Sequence, residues 1–225
     1  MYIIKKVLGK IEDTLRKSFI RELGANIHNK RLRARLTNDN FSILCPNCIG
    51  GTMYKKLGKQ FLSPTINLWM TQRDFIKFAV NLKEYIKEDL KFVETDKNYP
   101  VATLGDIELN FLHYKTEQEA EEAWNRRKQR INYDNIYILL YYRDGYTIDE
   151  IREIEKAVCR NLVLLTAKPL PLDYAQYIKP RLDMPNGDSF IDDNIWGTRT
   201  FEKQWDFVGW LNSDKNSWLS FSVEC

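Results

Sequence analysis

Along this chain, short apolar runs alternate with segments whose apolar residues recur every three or four positions. The run at 41–44 reads as a buried strand. The stretch 65–70 reads as a second, entered from the turn at Ser63-Pro64, and 90–93 as a weaker one. Segment 106–112 alternates, with Ile107, Leu109 and Phe111 on one face, the period of a half-buried strand. Segments 135–142 and 161–166 are continuously apolar, as in strands covered on both faces. Between them lie helical patterns. Thr71 with Asp74, and Thr116 with Glu119, place an N-cap and its acidic partner at capping-box spacing. The first helix presents Phe75, Phe78, Ala79, Leu82 and Ile86 on one face; the second runs to about Arg130. Thr147 opens a further helix, and another is expected over 201–211.

Strands alternating with helices predict an α/β fold: a mostly parallel sheet flanked by helices in three layers. Ile4, Val7, Leu8, Ile11, Leu15 and Phe19 add an N-terminal amphipathic helix. The expected organisation is a helical segment over 1–36, packing on the body, and one α/β domain over 37–225. Ligands of such folds bind beyond the carboxyl ends of the strands. The segments 45–51, 113–114, 142–144 and 166 onward each follow a strand, so parallel strands would bring them to one edge.

Composition removes some classes. At 225 residues and 44% hydrophobic the chain is ordinary for a globular protein, without a run of about eighteen apolar residues for a membrane span. The start, with basic residues after a short apolar stretch, is unlike a signal peptide, so a cytoplasmic location is expected. Four cysteines do not make a disulfide scaffold. A net charge of +3 gives no reason to expect nucleic-acid binding. The charge is uneven, with a basic cluster at 30–35. That cluster reads either as a solvated helix face or as a docking surface, with peripheral contact at anionic membranes through the basic N-terminus.

The densest candidate chemistry is Cys45-Pro-Asn-Cys48-Ile-Gly-Gly51, a strand end followed by two thiols, paired glycines and a helix start expected at Thr52. A thiol at a helix N-terminus has a lowered pKa, and the N–H groups of Ile49, Gly50 and Gly51 would form an oxyanion hole. His113, just after a strand, is the natural base for Cys48, with Asp106 or Asp144 to orient it. Against this stands the plain reading of a small buried cysteine and a hydrogen-bonded structural histidine. Gly50, Gly51, Asn67, Tyr114, Arg143 and Trp196 are the expected substrate-binding residues. Cys45 and Cys48 also have redox spacing, but without the aromatic neighbour of a thioredoxin site. No second cysteine or histidine pair completes a zinc site, so no metal site is assigned and no cofactor is specified. Asp192 and Asp193 offer an alternative, holding a divalent cation for a nucleotide-sugar diphosphate, with Trp196 stacking on a sugar. Walker, dinucleotide-binding and H-E-x-x-H motifs are missing from the sequence.

Cys48-Ile-Gly-Gly51, Ser63-Pro-Thr-Ile-Asn67, Asp74-Phe-Ile-Lys-Phe78, Phe111-Leu-His-Tyr114, Trp124-Asn-Arg-Arg127 and Arg130-Ile-Asn-Tyr-Asp-Asn135 together resemble one bacterial domain-of-unknown-function family. It is often labelled exopolysaccharide biosynthesis protein, and the resemblance spans roughly 40–210. Cys45 departs from the family pattern, which has Asn two or three positions before the second cysteine. The resemblance implies an α/β fold and a link to surface glycans, hence a glycan or activated-sugar substrate. It assigns no reaction. Three functions follow: a cysteine-centred transferase or hydrolase, a metal-assisted sugar-nucleotide transferase, or a non-enzymatic accessory module docking through Arg31, Arg33 and Arg35.

Overall fold

The two continuously apolar stretches form the centre of a parallel sheet. In the computed structural model, which describes residues 2–142, 147–157, 161–185, 190, 194 and 196–213, β1 (Ser42–Leu44) pairs with β5 (Ile136–Tyr142). β5 pairs with β6 (Leu162–Thr166), and β6 with β7 (Ala175–Tyr177), so the order is β1-β5-β6-β7 with every pairing parallel. Alternate side chains leave opposite faces of a strand. Ile43, Leu139 and Leu165 enter one core, while Leu44, Ile138 and Leu164 enter another. The first core is closed by α2 (Ile49–Leu57), α7 (Thr200–Gln204), α8 (Phe207–Asn212) and the end of α1 (Tyr2–Arg35). The second is closed by α3 (Gln72–Val80), α5 (Glu117–Lys128), α6 (Ile148–Ala157) and a small second sheet. The fold is therefore α/β with a parallel sheet between helices, as expected.

The second sheet is antiparallel, built from β2 (Lys91–Val93), β3 (Val101–Leu104) and β4 (Ile107–Asn110). Gly105, at φ +60°, makes the tight turn between β3 and β4. The strand that precedes His113 thus belongs to this sheet and not to the parallel one.

Capping chemistry sets the helix starts where the sequence places them. Thr71 Oγ1 accepts from Asp74 N at 3.1 Å, Thr116 Oγ1 from Glu119 N at 3.2 Å, and Thr147 Oγ1 from Glu150 N at 3.2 Å. Helix ends were less legible. The helix expected to carry on to Ile86 stops at Asn81, whose Nδ2 donates back to Lys77 O at 3.3 Å; α4 (Leu82–Tyr85) then restarts the chain. The single helix expected over 201–211 is two, because Asp206 caps a new one by accepting from Gly209 N at 3.1 Å. The strand expected over 65–70 is a turn followed by one bridge, Trp69 to Asn110.

A buried ion cluster ties α1, α2 and α7 together. Glu202, fully shielded from solvent, meets Lys56 Nζ at 2.9 Å and His28 Nε2 at 2.8 Å. Lys56 Nζ also donates to Gly197 O at 3.0 Å, and Arg33 Nε donates to Lys56 O at 2.9 Å. Leu32 is buried beneath these contacts. Further back on α1, Phe19, Ile20, Leu23 and Ile27 face solvent. No described helix is long and apolar enough to cross a membrane.

Candidate functional site

Cys48 sits at the N-cap of α2 with its side chain free of any capping bond. Its Sγ lies 3.1 Å from Nε2 of His113, a residue 65 positions away in the sequence. Cys48 is partly exposed and His113 exposed, so the pair opens to solvent.

Two short pieces of chain bring the pair together. After β4, Phe111 N donates to Pro100 O at 2.9 Å and Tyr114 N to Phe111 O at 3.0 Å, which makes a tight turn around His113. Buried Phe111 anchors one side of that turn. On the other, Tyr114 Oη accepts from Arg127 Nη1 at 2.6 Å. The second piece is the tie at 68–70. Trp69 exchanges both backbone bonds with Asn110, at 2.8 and 2.9 Å, and Met70 N donates to Pro46 O at 3.2 Å. One segment thereby holds the strand leading to His113 against the loop leading to Cys48. Leu68 and Met70 point into the core and Trp69 is exposed, so the tie carries an aromatic side chain on the outside.

Arg127 is buried, and among the described residues it has no carboxylate within ion-pair distance. Its Nη1 donates to Ile66 O as well as to Tyr114 Oη, both at 2.6 Å, and its guanidinium stacks over Phe61 and Tyr114. Burial lowers its pKa, with Tyr114 opposing. Arg127 thus joins the 63–67 turn to the turn that carries His113. Neither partner is an acid of its own helix: one is a distant backbone carbonyl and the other the Tyr114 hydroxyl. The sequence pattern marks neither Arg127 nor the Trp69 tie as part of the site. Trp69 lies in a uniformly apolar stretch, which does not show which side chain faces out.

The glycines act differently from expectation. α2 begins at Ile49, so Gly50 and Gly51 lie inside its first turn and not in a loop before it. A Cβ on Gly50 would lie 3.2 Å from Cys45 Cβ, and one on Gly51 would lie 3.1 Å from Ile66 Cγ2. Their smallness lets the helix pack against β1 and the 63–67 turn. The first-turn donors are largely used internally. Ile49 N donates to Asn47 Oδ1 at 3.0 Å, and the N–H groups of Asn47, Gly50 and Ile49 act on the Cys45 thiol. Gly51 N–H is left without an acceptor among the described residues, so the three-donor oxyanion hole is reduced to one group.

The two thiols are both free and have different environments. Cys45 is completely buried, donates to Asn47 Oδ1 at 3.2 Å, and is pushed up to about 12 by burial. Burial also raises Cys48, against the pull of the Arg199 and Lys55 cations. The thiolate expected from a helix N-terminus is therefore not the resting form. Desolvation outweighs the helix end because the nearest N–H groups serve Cys45 and Asn47. With its pKa raised, the Cys48 thiol lies within hydrogen-bond distance of His113 Nε2, and the imidazole tautomer sets which of the two donates.

Asp106 is not brought to His113. It sits at the β3–β4 turn, accepting from Lys77 Nζ and Tyr85 Oη at 2.6 Å each, and these bonds hold its carboxyl below the usual range. Asn67 adopts φ +66°, its Oδ1 facing Gly51. Trp196 lies against α1, its backbone packed on Gly24. Arg143, Asp144, Asp192, Asp193, Cys159 and Cys225 lie outside the described residues. Among the described residues no cluster of three His, Cys, Asp or Glu is arranged to hold a metal ion.

Comparison with known proteins places the chain in a family. A model described as Domain of unknown function (DUF1919) matches residues 19–212. An "Uncharacterized protein" of Haemophilus influenzae is 35% identical over 186 residues, covering 82% of this chain and 90% of that protein. With the match running over most of its length, from within α1 to the end of α8, this chain belongs to the DUF1919 family.

Proposed function

We propose that this DUF1919 protein is a cysteine-dependent group-transfer or hydrolytic enzyme with Cys48 as nucleophile and His113 as general base. The observation that carries this reading is the 3.1 Å approach of Cys48 Sγ to His113 Nε2, in a pair open to solvent. In the resting state the proton stays on sulfur. As Cys48 attacks an electrophilic carbon, His113 takes that proton at Nε2, then returns it to the leaving group. An acceptor hydroxyl or water, deprotonated by the same nitrogen, releases the product from the thioester. The Gly51 N–H, without an acceptor among the described residues, is the first-turn backbone donor left for the developing oxyanion. Arg127 and Tyr114 position His113 without touching the reacting atoms.

The resemblance of the Cys48-Ile-Gly-Gly51 and Phe111-Leu-His-Tyr114 motifs to proteins labelled for exopolysaccharide biosynthesis supports an acceptor or donor from surface-glycan synthesis. The test is alkylation of the native protein by iodoacetamide at neutral pH, with peptide mass mapping. Cys48 is expected to react well ahead of Cys45, and His113→Gln to slow it by about tenfold or more. A Cys48 that stays inert until the protein unfolds would refute the enzyme reading.

A further inference from the structure

α1 carries an exposed apolar face that the body of the protein does not cover. At 34 residues the helix is about 50 Å long. Its anchored face runs through Gly24, Ala25, His28 and Leu32. A Cβ on Gly24 would meet Trp196 O at 2.8 Å, one on Gly197 would meet Ala25 Cβ at 2.8 Å, and His28 meets Glu202. The adjoining side is different. Phe19 is 68% exposed, Leu23 50% and Ile27 47%, and Ile20 is exposed beside them. Residues four apart are neighbours on a helix, so these four form one stripe. Trp196, 55% exposed, extends it. Its backbone rests on Gly24, which lies between Ile20 and Ile27 on the helix surface. Single exposed apolar residues are ordinary, whereas a continuous patch ending in a tryptophan marks an interaction surface.

The charge around this face selects the occupant. Between Tyr2 and Arg35 there are ten Lys and Arg against three acids, in a chain whose net charge is +3. Lys30 and Arg31, exposed at the end of the stripe, have no ion pair among the described residues. The spacing continues in the sequence through Ile4, Leu8, Ile11 and Leu15, with Lys5, Lys6 and Lys10 between them and Glu12 and Asp13 near its far end. Such a cationic helix repels a second copy of itself laid alongside, which disfavours a homodimer on this face. A helix with an apolar stripe, a basic border and an interfacial tryptophan fits the boundary between anionic headgroups and acyl chains.

We infer that α1 docks the protein on an anionic bilayer surface, with Phe19, Ile20, Leu23, Ile27 and Trp196 entering the interface and Lys30 and Arg31 meeting lipid phosphates. This stands independently of the chemistry assigned to Cys48. The test is co-sedimentation of the full chain with phosphatidylcholine vesicles, with and without about one-third phosphatidylglycerol. Binding is expected only with the anionic lipid, and to fall about tenfold or more when salt is raised from about 0.05 M to about 0.5 M. Leu23→Ser/Ile27→Ser should abolish binding without shifting the thermal midpoint, since both positions are exposed. Lys30→Glu/Arg31→Glu should weaken it about tenfold. Failure of the unaltered protein to bind anionic vesicles overturns the inference. So does a self-associated species, seen by sedimentation velocity, that Leu23→Ser/Ile27→Ser dissolves, because the face then belongs to a second copy. Should the apolar variant misfold, the lipid and salt dependence of the unaltered protein decides.

Discussion

Glu202→Gln isolates the buried charge that holds α1, α2 and α7 in register. The carboxylate is fully shielded, Lys56 is only 10% exposed, and the two meet at 2.9 Å. Glu202 also accepts from Arg199 N at 3.1 Å, at the start of α7, and meets His28 at 2.8 Å. Glutamine keeps the shape and one acceptor oxygen but removes the negative charge. The Lys56 ammonium is then left in the interior with neutral acceptors in place of a carboxylate, Gly197 O among them. Removing one member of a buried pair costs about 3–5 kcal/mol. The retained acceptor and the slight exposure of Lys56 favour the lower end, about 3 kcal/mol. For a domain of this size each kcal/mol moves the melting temperature by about 2–4 °C, so a fall of about 6–12 °C is expected. Calorimetry or near-UV circular dichroism at neutral pH would read it. Glu202→Gln/Lys56→Met should recover most of the loss, since an apolar replacement of the whole pair removes the stranded charge. A melting temperature within about 2 °C of the unaltered protein would refute the reasoning, because an uncompensated buried ammonium cannot be that cheap.

Two further outcomes follow from the packing around Cys48. Gly50→Ala places a methyl 3.2 Å from Cys45 Cβ and 3.4 Å from Ile43 Cγ2. Overpacking of about 1–3 kcal/mol, set against about 1 kcal/mol of helix propensity, gives a net loss of up to about 2 kcal/mol in urea unfolding. A stabilised Gly50→Ala would show that the position is not tightly packed. The Cys45 thiol, raised to about 12 by burial, keeps its proton in the folded protein after the unfolded chain has lost it. Its stabilising contribution is complete below the ordinary thiol range and disappears as pH climbs from there toward about 12. Cys45→Ala should flatten that alkaline decline in a pH series of melting temperatures, and an unchanged slope would exclude Cys45 as its source.

Much of this protein was determined locally. The capping residues Thr71 and Thr116 start helices through a side chain that reaches its own backbone three residues on, an interaction that needs no distant partner. The apolar runs of β5 and β6 announce burial on both faces, and the parallel sheet follows. Cys48 and His113 were recognisable as reactive residue types at strand ends. Their pairing was legible too, but not the route: parallel strands would bring them to one edge, whereas His113 follows a strand of the second, antiparallel sheet and is held near Cys48 by the Trp69 tie. Asp106 looked equally suitable in sequence, yet the two-residue turn that carries it lies at the far end of β4, where Lys77 and Tyr85 hold it. The state of the Cys48 thiol also depended on the fold. A helix N-terminus lowers a thiol only if its N–H groups face that sulfur, and here they serve Cys45 and Asn47. The amphipathic pattern of α1 was visible in the sequence. Only the positions of Gly24 and Gly197 show which face the body accepts, because close backbone approach is decided by two surfaces and a sequence pattern describes one.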